Sequence, residues 1–432
     1  MEQKKMSIGG LFKGDKVIWM VFFFLCIIST LEVYSASSSL SYKSGNFVAP
    51  ILRHVGILLI GVCGMICMLK VKCKFFKLAT PFILVGALLG LVWVLIAGQA
   101  INGASRWISV LGIPFQPSEI AKGAVVLAIA QILSAMQTEN GADPKAFRYI
   151  CGTSIVFAFL IGVENLSTAA LLCVTVFCMM IIGRVPMRQI GKLLLVVFVL
   201  MVLALSAIML MGQSIKETGN KPENTLTEST QQKRKDDTHS LANYTDWIVH
   251  RVDTWKSRLT KWNDSKDIAP EDVDLDKDAQ IAHAHIAIAS SNVVGKGPGN
   301  STERDWLSQA FSDFIYAIII EETGILGAVI VAFLYIVLLF RTGQIASHCE
   351  NNFPAFLAMG LAIMLLIQAL FNMLVAVGIA PVTGQPLPLI SRGGTSTVIN
   401  CLYVGIILSI SRTAKKNTEQ KETNLDKITA EG

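Results

Sequence analysis

The chain has 432 residues, of which 53% are apolar and 16% charged; its mean hydropathy is +0.55 and its formal net charge +6. This balance excludes an ordinary soluble globular protein and places the chain in a membrane, with no nucleic acid among its expected partners. The nine cysteines fall in apolar segments or at their basic ends, which argues against a disulfide framework or a zinc-type spacing.

Apolar runs near the roughly 17 to 25 residues needed to cross a bilayer lie at 17–37, 48–69, 76–97, 117–136, 150–163, 166–183, 189–212, 314–340, 354–378 and 394–411. They predict an all-α integral membrane protein of about ten transmembrane helices, with 150–163 shorter than usual. Cations mark alternate connections: Lys4, Lys5, Lys13 and Lys16 before the first run, Lys70 to Lys77 after the second, Lys145 and Arg148 after the fourth. Arg184, Arg188 and Lys192 follow the sixth, Arg341 the eighth, and Arg412, Lys415 and Lys416 the last. The positive-inside rule then puts both termini in the cytoplasm and the long 213–309 segment, between spans 7 and 8, outside. The domain plan is a cytoplasmic segment at 1–16, a ten-span membrane domain at 17–412 and a cytoplasmic tail at 413–432. Residues 1–38 also imitate a signal peptide, with Ser35-Ala36-Ser37 as the small-residue site, but cleavage there would break the alternation of charge.

The first polar constellation runs from Gly103-Ala104-Ser105-Arg106-Trp107 through Pro117-Ser118-Glu119-Ile120-Ala121-Lys122. Ser118 can cap the helix that follows. Glu119 and Lys122 fall one turn apart on one face, where ionisable groups in a span usually line a cavity or pair with each other.

The outer segment divides by composition. Residues 214–245 are polar and read as flexible. Ile248, Val252, Trp255, Leu259 and Trp262, interleaved with Arg251, Lys256, Arg258 and Lys261, describe an amphipathic helix that lies on the outer leaflet or packs against the spans. His283 and His285 are two apart, on different sides of a helix, and make a weak metal pair. In Gly295-Lys296-Gly297-Pro298-Gly299-Asn300-Ser301, alternate glycines permit either a close backbone approach or a turn.

Asp313, in Gln309-Ala310-Phe311-Ser312-Asp313-Phe314-Ile315-Tyr316, stands where the polar loop meets the eighth apolar run. A carboxylate at that boundary is suited to act as a base. Glu321 follows on roughly the same helical side, about 12 Å deeper, while Glu322 points elsewhere, toward a neighbouring helix. Between the last two spans, Pro381-Val382-Thr383-Gly384-Gln385-Pro386-Leu387-Pro388-Leu389-Ile390-Ser391-Arg392-Gly393-Gly394-Thr395-Ser396 is too apolar for a free loop and too rich in Pro and Gly for a helix. It reads as re-entrant backbone lining a cavity.

Together these motifs, with Glu321-Glu322-Thr323-Gly324, resemble the SEDS family of cell-wall polymerases (shape, elongation, division and sporulation) in order, spacing and topology over roughly residues 15 to 412. Within it the chain is most similar to the division members, with the elongation and sporulation members as near alternatives. The resemblance implies a peptidoglycan glycosyltransferase of the bacterial inner membrane that polymerises lipid II, working with a class B penicillin-binding protein and other divisome proteins. It implies Asp313 as general base, and substrate binding through Arg106, Glu119, Lys122, Arg251, Gln280, Lys296, Ser391, Arg392, Gly393, Gly394 and Ser396. A divalent ion such as Mg is compatible with a diphosphate leaving group and is not readable from the residues. A lipid II flippase and a divisome scaffold stay open as alternatives. The chain departs from the family pattern in three places: Glu164-Asn165-Leu166-Ser167-Thr168 stands where a Pro-Asp-Leu-Gly-Thr type sequence is usual, Arg392 replaces an aromatic residue, and 214–245 is long.

Overall fold

A computed structural model describes residues 13–36, 49–97, 99–101, 104–110, 113–199, 279–307 and 310–431. In chain order the helices are α1 (Lys16–Ala36), α2 (Ala49–Lys70), α3 (Cys73–Ala97), α4 (Pro117–Ala135), α5 (Pro144–Glu164), α6 (Leu166–Ile182), α7 (187–199), α8 (Ala279–Ala289), α9 (Ile315–Ser347), α10 (Asn352–Ala376) and α11 (Thr395–Glu431). Among the described residues, 8 are long and apolar enough to cross a membrane: α1 to α5, α9, α10 and the first part of α11. The apolar α6 has 17 residues, and the run at 189–212 continues past α7 outside the described residues.

Helix α5 corrects the short run at 150–163. It starts at Pro144, behind an Asp143 N-cap whose carboxylate accepts from the Lys145 N–H at 2.7 Å, so the basic residues that interrupt the apolar pattern form its first turns. At α4 the expected cap is also different. Gln116 is the N-cap residue, Pro117 takes the first helical position, and Gln116 Nε2 donates to Ser118 Oγ at 3.0 Å. Helices dominate, with small antiparallel additions: β1 (Gln99–Ile101), β2 (Ala104–Val110) and β3 (Ile113–Phe115) form one sheet in that order, and β4 (Gln137–Thr138) pairs with β5 (Gly141–Ala142). Trp107, Ile108 and Val110 give β2 the aromatic and β-branched character that strands favour.

Residues 1–186 and 274–432 form one compact unit; 187–273 form a second, of which α7 is the described part. Within the first unit, burial separates centre from periphery: 72% of the apolar window of α4, 61% of α10 and 78% of α11 is buried, against 22% for α2, α3 and α5. The outer faces of those three carry Leu59, Phe82, Trp93 and Phe159, as a lipid-facing surface should. Without a hydrophobic drive between helices in lipid, close approach depends on small residues. Gly61 and Gly64 of α2 lie against Cys401 and Leu402 of α11, and Gly405 of α11 against Met65.

Helix α9 is broken at Gly324, whose φ of 70° and ψ of −171° are not helical. The break frees carbonyls of the preceding turn, and the glycine-rich loop supplies their partners: Lys296 N–H donates to Glu321 O at 2.9 Å and Gly297 N–H to Glu322 O at 2.8 Å. A Cβ at Gly295 or at Gly324 would run into the other strand's backbone, so the alternate glycines serve an approach to the chain's own helix.

Candidate active site

The turn Phe311-Ser312-Asp313 leads into α9 through Phe314, which provides no side-chain cap. Asp313 therefore precedes the helix, and its position relative to Glu321 is not set by one continuous helical face. Instead the turn is held from outside, carbonyl by carbonyl. Arg392 N–H donates to Phe311 O at 2.9 Å, Ser391 Oγ to Ser312 O at 2.6 Å and Asn372 Nδ2 to Asp313 O at 2.9 Å. The Asp313 carboxylate is half-buried and accepts from Ser312 Oγ at 2.9 Å.

The segment 381–396, expected to be re-entrant, runs through the bundle with Thr383, Gln385, Leu387, Leu389, Ile390 and Ser391 buried although none is helical. Two amides one turn apart on α10 hold it. Asn372 Nδ2 also donates to Gln385 O at 2.7 Å, and Gln368 Nε2 to Pro386 O at 3.4 Å. Gln385 Nε2 in turn donates to Thr168 Oγ1 of α6 at 2.7 Å. Gln368 Oε1 accepts from Lys122 Nζ at 3.1 Å, and Lys122 pairs with Glu119 at 2.9 Å, both side chains almost wholly buried. Ser396 Oγ donates to the second Glu119 oxygen at 3.4 Å, and the Ser396 N–H to Gly393 O at 3.1 Å; Gly394 has a φ of 55°. Thus Asp313, the Glu119–Lys122 pair and the re-entrant segment, three separate constellations in the sequence, are one hydrogen-bonded assembly.

One cation, Arg392, faces this assembly. The Arg392 guanidinium lies 5.2 Å from the centre of the Phe311 ring, and burial, then the like charge of Arg53, lower its pKa from the ordinary arginine value. Among the described residues neither arginine is paired with a carboxylate. Arg53 was not legible as a site residue, nor were Asn372, Gln368 and Gln385. The available signal was Arg53-His54 inside the outer end of an apolar run, and Gln368 and Asn372 four apart in α10.

Other expected residues are placed elsewhere. Lys296 Nζ is bound to Glu321 Oε1 at 2.6 Å and to Thr302 Oγ1 at 2.8 Å. Glu321 also accepts from Ser301 Oγ and from the Thr302 N–H at 3.0 Å, so this carboxylate is saturated. Glu322 accepts from Ser35 Oγ of α1 and from the Gly299 N–H at 2.8 Å, with Arg304 at 3.8 Å, which realises its expected turn toward a neighbouring helix. His283 Nδ1 meets Glu303 Oε2 at 2.6 Å. Among the described residues no group of three His, Cys, Asp or Glu is placed to hold a metal. Gln280 is half-buried in the first turn of α8, Arg106 lies on β2, and Glu164 is buried at the end of α5. Arg251, the 248–262 helix and the 214–245 stretch lie outside the described residues.

The FtsW/RodA/SpoVE family model, described as cell cycle protein, matches residues 15–232 and 240–416. A "Probable peptidoglycan glycosyltransferase FtsW" of Geobacter metallireducens is 27% identical over 417 residues, covering 95% of this chain and 98% of the relative. "Peptidoglycan glycosyltransferase MrdB" of Escherichia coli K12 is 26% identical over 403 residues, covering 92% and 93%. Among solved structures, a chain of a peptidoglycan synthase complex superposes with a TM-score of 0.66 at 22% identity, covering 93% of this chain and 98% of that one. The Thermus thermophilus rod shape determining protein RodA superposes at 0.61 with 19% identity, covering 93% and 98%. These likenesses establish the same multi-helix membrane fold.

Proposed function

The chain belongs to the FtsW/RodA/SpoVE family of cell cycle proteins, and from that premise we propose that it is a peptidoglycan glycosyltransferase polymerising lipid II on the outer face of the inner membrane, for septal wall synthesis. One observation carries the reading: a half-buried carboxylate on a turn held at three consecutive carbonyls, beside Arg392, which pairs with no described carboxylate. The 4-hydroxyl of one lipid II sugar attacks the anomeric carbon of another. Asp313 takes the hydroxyl proton, the bond from that carbon to the diphosphate oxygen breaks, and undecaprenyl diphosphate leaves with inversion. The leaving group is already a stable anion, so it needs no carboxylic acid of the kind that glycoside hydrolysis uses. Arg392 neutralises the charge that gathers on it.

A translocation path through the membrane would require mobile charge at Glu119 and Lys122. Those two are instead paired to each other and hydrogen-bonded to Gln368 and Ser396, which favours an architectural role for them. The test is the purified full chain with labelled lipid II and its class B penicillin-binding protein, the proposed partner, resolved on a gel. Glycan strands support the polymerase reading, and lipid II movement across vesicles without strands sinks it. The septal assignment draws on the names of the division-type relatives; depletion should give filaments, and rounded cells would assign the elongation role instead.

The orientation, with both termini cytoplasmic and 213–309 outside, is part of the same proposal. Ser301 is buried against Glu321, so the exposed Asn300 is the better probe. In a background without the nine native cysteines, Asn300→Cys should react with an impermeant thiol reagent in cells with a permeabilised outer barrier, and Asn351→Cys should not. The reverse labelling would invert the topology.

A further inference from the structure

We propose that Asn372 is a positioning residue for the glycosyl transfer, fixing the Asp313 carboxylate by clamping its backbone to the re-entrant segment; the inference rests on Asp313 being the base. Asp313 lies outside α9, and the helix start behind it has no side-chain cap to lock the turn. Its backbone is held by the groups that bond its carbonyl and the two before it. Ser391 and Arg392, neighbours in the re-entrant segment, take the carbonyls of Ser312 and Phe311. The third is taken from a different element, by Asn372 of α10, whose single amide nitrogen reaches both Asp313 O at 2.9 Å and Gln385 O at 2.7 Å.

The orientation of that amide follows from its partners. Both groups are carbonyl oxygens, which only accept, so the NH2 must face them and a flipped amide would set oxygen against oxygen. Asn372 is 1% exposed, and its Oδ1 is buried with no hydrogen-bond partner. The side chain thus spends both donors on the clamp and leaves its acceptor unmet, an arrangement that burial ordinarily disfavours. Gln385 repeats the pattern, donating to Thr168 while its own Oε1 is buried without a partner. Through these two amides the Asp313 turn is tied to α10, to the re-entrant segment and to α6.

A base acts only within hydrogen-bond reach of the proton that it removes, and a misplacement of about 1 Å can cost on the order of 10²-fold in rate. The structure assigns to Asn372 the removal of that freedom. The amide touches no reacting group, so its loss should appear in turnover and leave substrate affinity unchanged.

The experiment uses the full-length chain with its class B penicillin-binding protein, measuring kcat and KM for lipid II polymerisation and the melting temperature for Asn372→Asp, Ser391→Ala and Asp313→Asn. The Asn372→Asp side chain keeps its shape but, ionised, turns an acceptor toward both carbonyls. Its kcat per folded molecule should fall by about 10- to 100-fold, with KM within about twofold of the parent, and its melting temperature should drop because a buried carboxylate then faces two acceptors. Ser391→Ala removes a second clamp and should lower kcat in the same direction, which keeps the claim testable if the Asn372 variant does not fold. In an Asp313→Ala background, adding Asn372→Asp should lower the residual rate no further, because a residue that acts through Asp313 has nothing left to position. Normal kcat in both clamp variants while Asp313→Asn is inactive would overturn the positioning role and leave the base intact. A raised KM at unchanged kcat would make Asn372 a substrate-binding residue and overturn it as well. Asp313→Asn polymerising at the parental rate would remove the base and the clamp together.

Discussion

Two groups of carboxylates stand within ten residues of each other at the start of α9, and they are held in opposite ways. Glu321 and Glu322 are buried, and their side chains carry the architecture: Lys296, Ser301 and Thr302 converge on one, Ser35, Gly299 and Arg304 on the other. At Asp313 the backbone carries it. Three consecutive carbonyls are bonded by the re-entrant segment and α10, while the carboxylate itself is half-buried. A carboxylate whose oxygens are saturated by fixed donors has no acceptor left for a substrate proton. The contrast marks the glutamates as architectural, and it is the frame in which the proposed role of Asp313 can be tested.

The sharpest way to break that contrast is Asp313→Asn, which should lower polymerisation by roughly 10² to 10⁴ while leaving melting unchanged. A stability loss with normal turnover per folded molecule would place Asp313 in the same class as the glutamates. Next in size is the Glu119–Lys122 pair, buried at 2.9 Å. Lys122→Ala strands a buried carboxylate and should cost about 3 to 5 kcal/mol of stability in a denaturant or thermal titration. Replacing both residues by leucine and methionine should cost distinctly less, and equal losses would show that the pair does more than neutralise itself. Arg392→Ala should weaken use of lipid II by about 2 to 5 kcal/mol as a raised KM, with Arg392→Lys restoring part; a normal KM would reduce Arg392 to a side chain resting on Phe311. The smallest expected effect is Glu321→Gln, which gives up the ion pair to Lys296 and sets an amide against the Thr302 N–H. It should lower stability by about 1 to 3 kcal/mol without changing turnover per folded molecule, and a selective loss of turnover would erase the distinction drawn at α9.

The re-entrant segment was legible because Pro381, Pro386 and Pro388 exclude a helix while Leu387, Leu389 and Ile390 exclude a free loop. Asp313 stood out in the sequence because a carboxylate at the edge of an apolar run is costly and therefore rare. Asn372 did not, since an amide within a 25-residue apolar helix reads as an ordinary interhelical contact until its partners are known. Lys296 was ambiguous for the same reason. A cation in a glycine-rich loop looks the same from its neighbours whether it meets a diphosphate or Glu321.

By itself the sequence determined the membrane class, most of the spans and the residues costly enough to need a reason. All of these follow from local hydropathy and charge, which a bilayer reads segment by segment. Only the tertiary structure decided which donors saturate Glu321 and which elements hold the Asp313 turn. That decision rests on contacts such as Ser391 to Ser312, 79 residues apart, and Lys122 to Gln368, 246 apart. No periodicity encodes them, because a hydrogen bond between distant segments depends on where the packed helices bring them together.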